Sequence, residues 1–151
     1  LVNVSKSCVR VARLFGFDPK VAFLSHSTFG KPISKNTKHV RDAIQILKNE
    51  RVDFDFDGEM QPDVALNPIY QEVYPFSKIV GNANILIMPA LHSAAISTKL
   101  MKVFGGGKLI GPLLIGLGLP IEVAPLRAST SEILNLASIA SYSSDVIDYS
   151  N

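Results

Sequence analysis

The chain has 151 residues, of which 47% are hydrophobic and 19% charged, with a net charge of +2. That length holds one domain with a sizeable core, or a piece of something larger, and the composition excludes a disordered chain. So small a net charge gives no argument for nucleic acid or an anionic membrane, and no basic-aromatic pattern of an RNA- or DNA-binding motif occurs. The single Cys8 excludes an intrachain disulfide, reads as a plain core thiol and suits a reducing, cytoplasmic setting. No signal-peptide pattern opens the chain. It begins at Leu1 rather than methionine, so a piece of a longer protein is expected.

Residues 5 to 15 place Cys8, Val11, Ala12 and Phe15 on one helical face, and Gly16 and Pro19 end that helix. Val21 to Leu24 is a continuous apolar run, as in a parallel strand buried on both faces. Ser25, His26, Ser27 and Thr28 follow at its C-terminal end, where ligands bind in open α/β sheets. Ser25 and Ser27 are candidate hydrogen-bond donors there, with a turn role as the alternative; His26 reads as non-catalytic. Asn36 is positioned to cap a second helix whose buried stripe is Val40, Ala43, Ile44 and Leu47. Lys35, Lys38, His39 and Arg41 make its first turns basic, against the helix dipole. A solvated face is the preferred reading, and an anion site near the helix start is the alternative.

Residues 53 to 59, DFDFDGE, alternate with period two: Phe54 and Phe56 toward a core, the three aspartates toward water. The string imitates the start of an EF-hand loop, but the twelfth position is Val64 and Pro62 lies inside, so calcium is not expected. Ile85 to Met88 is a second buried-strand run, ended by Pro89. The next helix carries Ile96, Leu100, Val103 and Phe104 at helical spacing up to Gly105, Gly106 and Gly107. Strand and helix alternate, which predicts an α/β fold, a three-layer αβα arrangement with a largely parallel sheet.

Leu109 to Ile121 is uncharged but broken by Gly111, Pro112, Gly116, Gly118 and Pro120. It is too short and too interrupted to span a membrane, and reads as buried strand and close-packed loop. Ile121 to Val123 alternates like a short strand. Ser129-Thr130-Ser131-Glu132 fits a capping box in front of a helix with Ile133, Leu136, Ala137 and Ala140 on one face. The three histidines, His26, His39 and His92, lack metal-ligand spacing, so no metal is expected. No P-loop, dinucleotide fingerprint or nucleophile elbow occurs.

VAFLSHSTFG (21–30), DGEMQPDVAL (57–66), ANILIMPALHSAAISTKLM (83–101) and IGPLLIGLGLPIEV (110–123) resemble, in order and spacing, the C-terminal half of the phosphate acetyltransferase and butyryltransferase family. KVFGGGKLIGPLLIG is most similar to the phosphotransacetylase-like region at the C-terminus of bacterial NADP-dependent malic enzymes. The resemblance implies a two-lobed architecture like that of the isocitrate and isopropylmalate dehydrogenases. About 1–108 would form one lobe, and 109–151 the returning strand and helix of the other. Active transacetylases of the family carry Leu-Ser-Arg-Gly-Cys-Ser before the last helix. Aligned back from Ile133-Leu134-Asn135, their serine falls on Pro125, their arginine on Leu126 and their following aspartate on Glu132. Arg127 is displaced by one place. Ala90, His92 and Ala95 stand where the family usually has Asn or Asp.

No catalytic residue is therefore expected in this chain. The leading expectation is a non-catalytic, regulatory and dimerising domain of a malic enzyme. Its parent would oxidise and decarboxylate malate to pyruvate with NADP and a divalent metal, both held by N-terminal domains outside these residues. No cofactor is expected here. The resemblance implies acetyl-CoA as effector, in a cleft lined by Ser25, Ser27, Thr28, His92 and Arg127. A phosphate acetyltransferase fragment and a purely structural oligomerisation module are the alternatives. A twofold dimer is expected, because an incomplete lobe leaves strand edges and apolar surface to cover.

Overall fold

A computed structural model describes residues 1–146. The chain forms two compact units, Leu1–Ser97 and Thr98–Asn151. In the first, α1 (Val2–Leu14), β1 (Lys20–Leu24), α2 (Lys38–Glu50), β2 (Asp55–Met60), α3 (Pro62–Leu66) and β3 (Ile85–Ile87) follow one another. The helix α4 (Leu91–Phe104) starts there and ends in the second unit, which also holds α5 (Thr130–Val146). The sheet order is β2-β1-β3, with β1 parallel to both neighbours, so the expected α/β fold with a parallel sheet is present.

The apolar run Val21 to Leu24 fills the central strand because it is buried on both faces. Val21 and Phe23 pack with Val9 and Ala12 of α1, the α2 stripe Val40, Ala43, Ile44 and Leu47, and Phe56, Ile85 and Ile87. Ala22 and Leu24 face the other way, onto Met60, Ala65 of α3, Ile79 and Ala83. The α2 stripe is as expected. The α1 face is rotated: Ser5, Val9 and Ala12 are buried, whereas Phe15 is exposed. Ser5 is tolerated inside because its hydroxyl donates to the Val2 carbonyl at 2.8 Å.

Asn36 does not cap α2. Ser34 caps a 3₁₀ turn at Lys35–Thr37 instead, accepting from the Asn36 amide at 3.1 Å, and α2 begins one turn later. The β2 alternation also breaks. Phe23 pairs with Gly58 but Leu24 pairs with Met60, so Glu59 is an extra residue in a bulge. Phe56 thus joins the α2 side and Met60 the opposite side. Asp55 is exposed, but Asp57 is buried, its carboxylate accepting from the Lys78 amide at 2.7 Å. The expected wet face fails there because both faces of this sheet are covered.

In the second unit, residues 109–121 form no strand. A single antiparallel bridge joins Leu113 to Glu122, and Ile110, Leu114, Ile115, Leu117, Leu119 and Ile121 are exposed. The expected burial is not found. Gly111 and Gly116 take positive φ, and Pro112 and Pro120 lack an amide donor, so no ladder can run through. No residue of α4 is buried, its Ile96, Leu100, Val103 and Phe104 included, and of the expected α5 face only Leu136 is buried. The final stretch, 147–151, of the range assigned to a returning strand and helix lies outside the described residues.

Leu47 is fully buried, so Leu47→Ala should destabilise the chain by about 3–4 kcal/mol in chemical denaturation. Gly58 has φ +143°, and a Cβ there would lie 2.6 Å from the Phe23 carbonyl oxygen. Gly58→Ala should therefore destabilise by more than the roughly 1 kcal/mol of an ordinary substitution, in the same measurement.

Candidate functional site

The polar residues of the first unit gather at the C-terminal ends of the strands, where α/β sheets bind ligands. The loop leaving β1 is tied to the residues ending β2 by several bonds. The Ser25 amide donates to the Met60 carbonyl at 2.9 Å, and the Gln61 side chain to the His26 carbonyl at 2.7 Å. The Phe29 amide donates to the Glu59 carbonyl at 2.7 Å, with Phe29 at φ +47°, a conformation that bulky side chains rarely adopt.

The side chain of Glu59 is the centre of this edge. It is 1% exposed, and its Oε1 accepts from the fully buried Ser27 hydroxyl at 2.8 Å and from Arg41 at 3.2 Å. Arg41 also donates to the Ser34 carbonyl at 3.0 Å and to the Thr37 hydroxyl. Glu59 Oε2 is buried without a hydrogen-bond partner. Burying a carboxylate is costly unless it is paired, so this carboxylate needs both Arg41 and the Ser27 hydroxyl.

These contacts place the residues expected at a ligand site. A serine hydroxyl carries one proton; that of Ser27 goes to Glu59, so Ser27 offers no donor to a ligand. Ser25 is buried beside it, the two oxygens 3.4 Å apart. The Thr28 hydroxyl accepts from the Gln61 amide at 3.2 Å. His92 is exposed near the start of α4. Arg127 is exposed and belongs to the second unit. The structure thus joins Ser25, Ser27 and Thr28 in one network. The basic turns of α2 are engaged as well: Lys38 pairs with Asp42 at 2.6 Å, and His39 Nε2 lies 3.2 Å from the Pro89 carbonyl oxygen.

Sequence reasoning missed Glu59, and named Arg41 only as one of the basic residues at the start of α2, with an anion site there as the alternative. A signal for Glu59 was present: a carboxylate in a strand whose neighbours on both sides are apolar or glycine needs a buried cation, and Arg41 lies on the basic α2.

In the second unit Pro125 and Leu126 stand in an exposed turn, Leu126 being 103% exposed. Glu132 completes the expected capping box. Its carboxylate accepts from the Ser129 amide at 2.8 Å and hydroxyl at 2.9 Å, and its own amide donates to the Ser129 hydroxyl at 3.3 Å. The Ser129 amide, then its hydroxyl, and then Lys102 hold the Glu132 carboxyl below the usual range. Elsewhere, partial burial pushes the Cys8 thiol up, away from a reactive thiolate. Among the described residues no group of His, Cys, Asp and Glu forms a metal site, and no helix is long and apolar enough to cross a membrane.

The sequence matches the family described as "Phosphate acetyl/butaryl transferase" over residues 1–141. It is 46% identical over 142 residues to an NADP-dependent malic enzyme of Rhizobium meliloti, covering 94% of this chain but 19% of that protein. It is 33% identical over 140 residues to the phosphate acetyltransferase of Bacillus subtilis, covering 92% of this chain and 43% of the relative. A crystal structure of a phosphotransacetylase from Streptococcus pyogenes superposes with a TM-score of 0.89 at 32% identity, over 95% of this chain and 44% of that one.

Arg41→Ala should destabilise the chain by about 2–3 kcal/mol, because Glu59 is left buried and unpaired; the partial exposure of Arg41 keeps the loss below that of a fully buried pair. Arg41→Met combined with Glu59→Gln should recover most of it in chemical denaturation. Carboxyl NMR should show Glu132 titrating below the usual glutamate range. Its folded pKa is depressed, so its contribution is present above the unfolded pKa and lost as pH falls through the folded one. Ser129→Ala should return the titration only part of the way, since the amide donor remains.

Proposed function

Since the chain belongs to the phosphate acetyl/butaryl transferase family, we propose that it is a non-catalytic, regulatory and dimerising domain of a malic enzyme, sensing acetyl-CoA. The observation that carries this reading is Pro125 and Leu126. They occupy the positions at which the family resemblance puts the serine and arginine of an active transacetylase, and they have neither hydroxyl nor charge. Glu132, at the aspartate position, is engaged by Ser129 in a helix cap. Stabilisation of a developing anion, worth several kcal/mol in acyl and phosphoryl transfer, has no side-chain donor at either position. The similarity to malic enzymes supports the choice of parent.

In this reading the parent oxidatively decarboxylates malate to pyruvate with NADP and a divalent metal held by N-terminal domains. Residues of about 1–108 belong to one lobe of a two-lobed, dehydrogenase-like architecture. Residues 109–151 are the returning segment of the other. The effector cleft is the edge carrying Ser25, Ser27, Thr28 and His92. A second copy of the chain covers the exposed apolar residues Leu100, Val103 and Phe104 of α4. The setting is cytoplasmic. The second reading, a phosphate acetyltransferase fragment, is favoured by the similarity to the Bacillus subtilis enzyme.

An assay of acetyl-CoA formation from acetyl phosphate and CoA separates the two. No turnover above background is expected, whereas turnover in the usual enzymatic range of about 1–10³ s⁻¹ would establish the transferase reading. Light scattering should give twice the 16.4 kDa chain mass at micromolar concentration; a monomer would remove the dimerising role. Calorimetry should detect acetyl-CoA binding.

A further inference from the structure

Arg41 meets Glu59 at a single point, which leaves one carboxylate oxygen unpaired. A guanidinium and a carboxylate frequently form a two-pronged fork, each oxygen taking one N–H. Here only Nη1 reaches Glu59, at Oε1, and Oε2 is buried with no partner. The remaining contacts of Arg41 go to the Ser34 carbonyl and the Thr37 hydroxyl, at the end of the β1–α2 connection. Three acceptors thus set the orientation of a side chain that is still 36% exposed. A guanidinium has five N–H donors and these contacts do not use them all.

Several other donors at this edge are committed. The proton of Ser27 goes to Glu59, the amides of Ser25 and Phe29 go to carbonyls ending β2, and the Gln61 side chain goes to His26. The surrounding charge also favours an anion, with Lys35, Lys38 and Arg41 standing against Asp42 and Glu59. Glu59 Oε2 repels an anion, so an anion must approach from the solvent side of Arg41, whose side chain is partly exposed.

We infer that Arg41, held in orientation by Glu59, is the anion-contacting residue of this edge and takes a phosphoryl group of the ligand. The identity of that ligand as acetyl-CoA rests on the proposed function; the role of Arg41 toward a phosphoryl group does not. Ser27 then shapes the site through Glu59 and does not touch the anion.

The test is calorimetry of this chain with acetyl-CoA, with inorganic pyrophosphate and with pantetheine, which has no phosphoryl group. Arg41→Lys keeps a cation beside Glu59 but loses the planar fork, and Arg41→Met with Glu59→Gln removes the charge pair together so that the fold is preserved; circular dichroism checks both. The expected result is about tenfold weaker binding of acetyl-CoA and pyrophosphate for Arg41→Lys, a 1.4 kcal/mol change, with pantetheine unaffected. Unchanged binding of acetyl-CoA and pyrophosphate by both folded variants overturns the inference and leaves acetyl-CoA sensing standing. An equal loss for pantetheine also overturns it. Pyrophosphate binding that depends on Arg41, without acetyl-CoA binding, supports the inference and overturns the acetyl-CoA reading. Binding of neither phosphorylated ligand by the wild type overturns both.

Discussion

The carboxylate of Glu59 holds together three parts of the first unit. It sits in a bulge of β2, takes the hydroxyl proton of Ser27 from the loop after β1, and takes an N–H of Arg41 from α2. Arg41 extends the tie to Ser34 and Thr37. A charge this deeply buried demands partners, and its partners come from segments far apart in sequence. That demand fixes where the β1–α2 connection lies over the sheet edge, and with it the surface that a ligand would meet.

The bulge has a second consequence. It lets β2 serve both faces of the sheet, with Phe56 in the core shared with α1 and α2, and Met60 in the core shared with α3. Gly58 makes this possible: any side chain there would collide with the backbone of Phe23, its partner on β1. The residue that permits the bulge and the residue that uses it are therefore adjacent. Packing and polar chemistry are coupled at that point, because displacing Gly58 would displace Glu59.

In the second unit the polar groups before α5 serve helix capping. Ser129 and Glu132 spend their polar groups on each other and on the α5 start. Pro125 and Leu126 precede them in an exposed turn with no polar side chain to offer. The apolar residues of α4 and of 109–121 find no core among the described residues.

Local pattern made several elements legible from the sequence. The continuous run Val21 to Leu24 declared a two-sided buried strand, the spacing of Val40, Ala43, Ile44 and Leu47 declared the inner face of α2, and Ser129 with Glu132 declared the α5 cap. Each of these is decided by residues within a few positions of one another. The tertiary structure alone decided the rest: that Asp57 is buried, that Glu59 points at Ser27 and Arg41, that Ser34 replaces Asn36 as a cap, and that the run 109–121 stays exposed. The physical reason is the same throughout. A polar group's partner, or an apolar run's cover, is supplied by whatever segment folds against it, and periodicity records the side chain but not the neighbour.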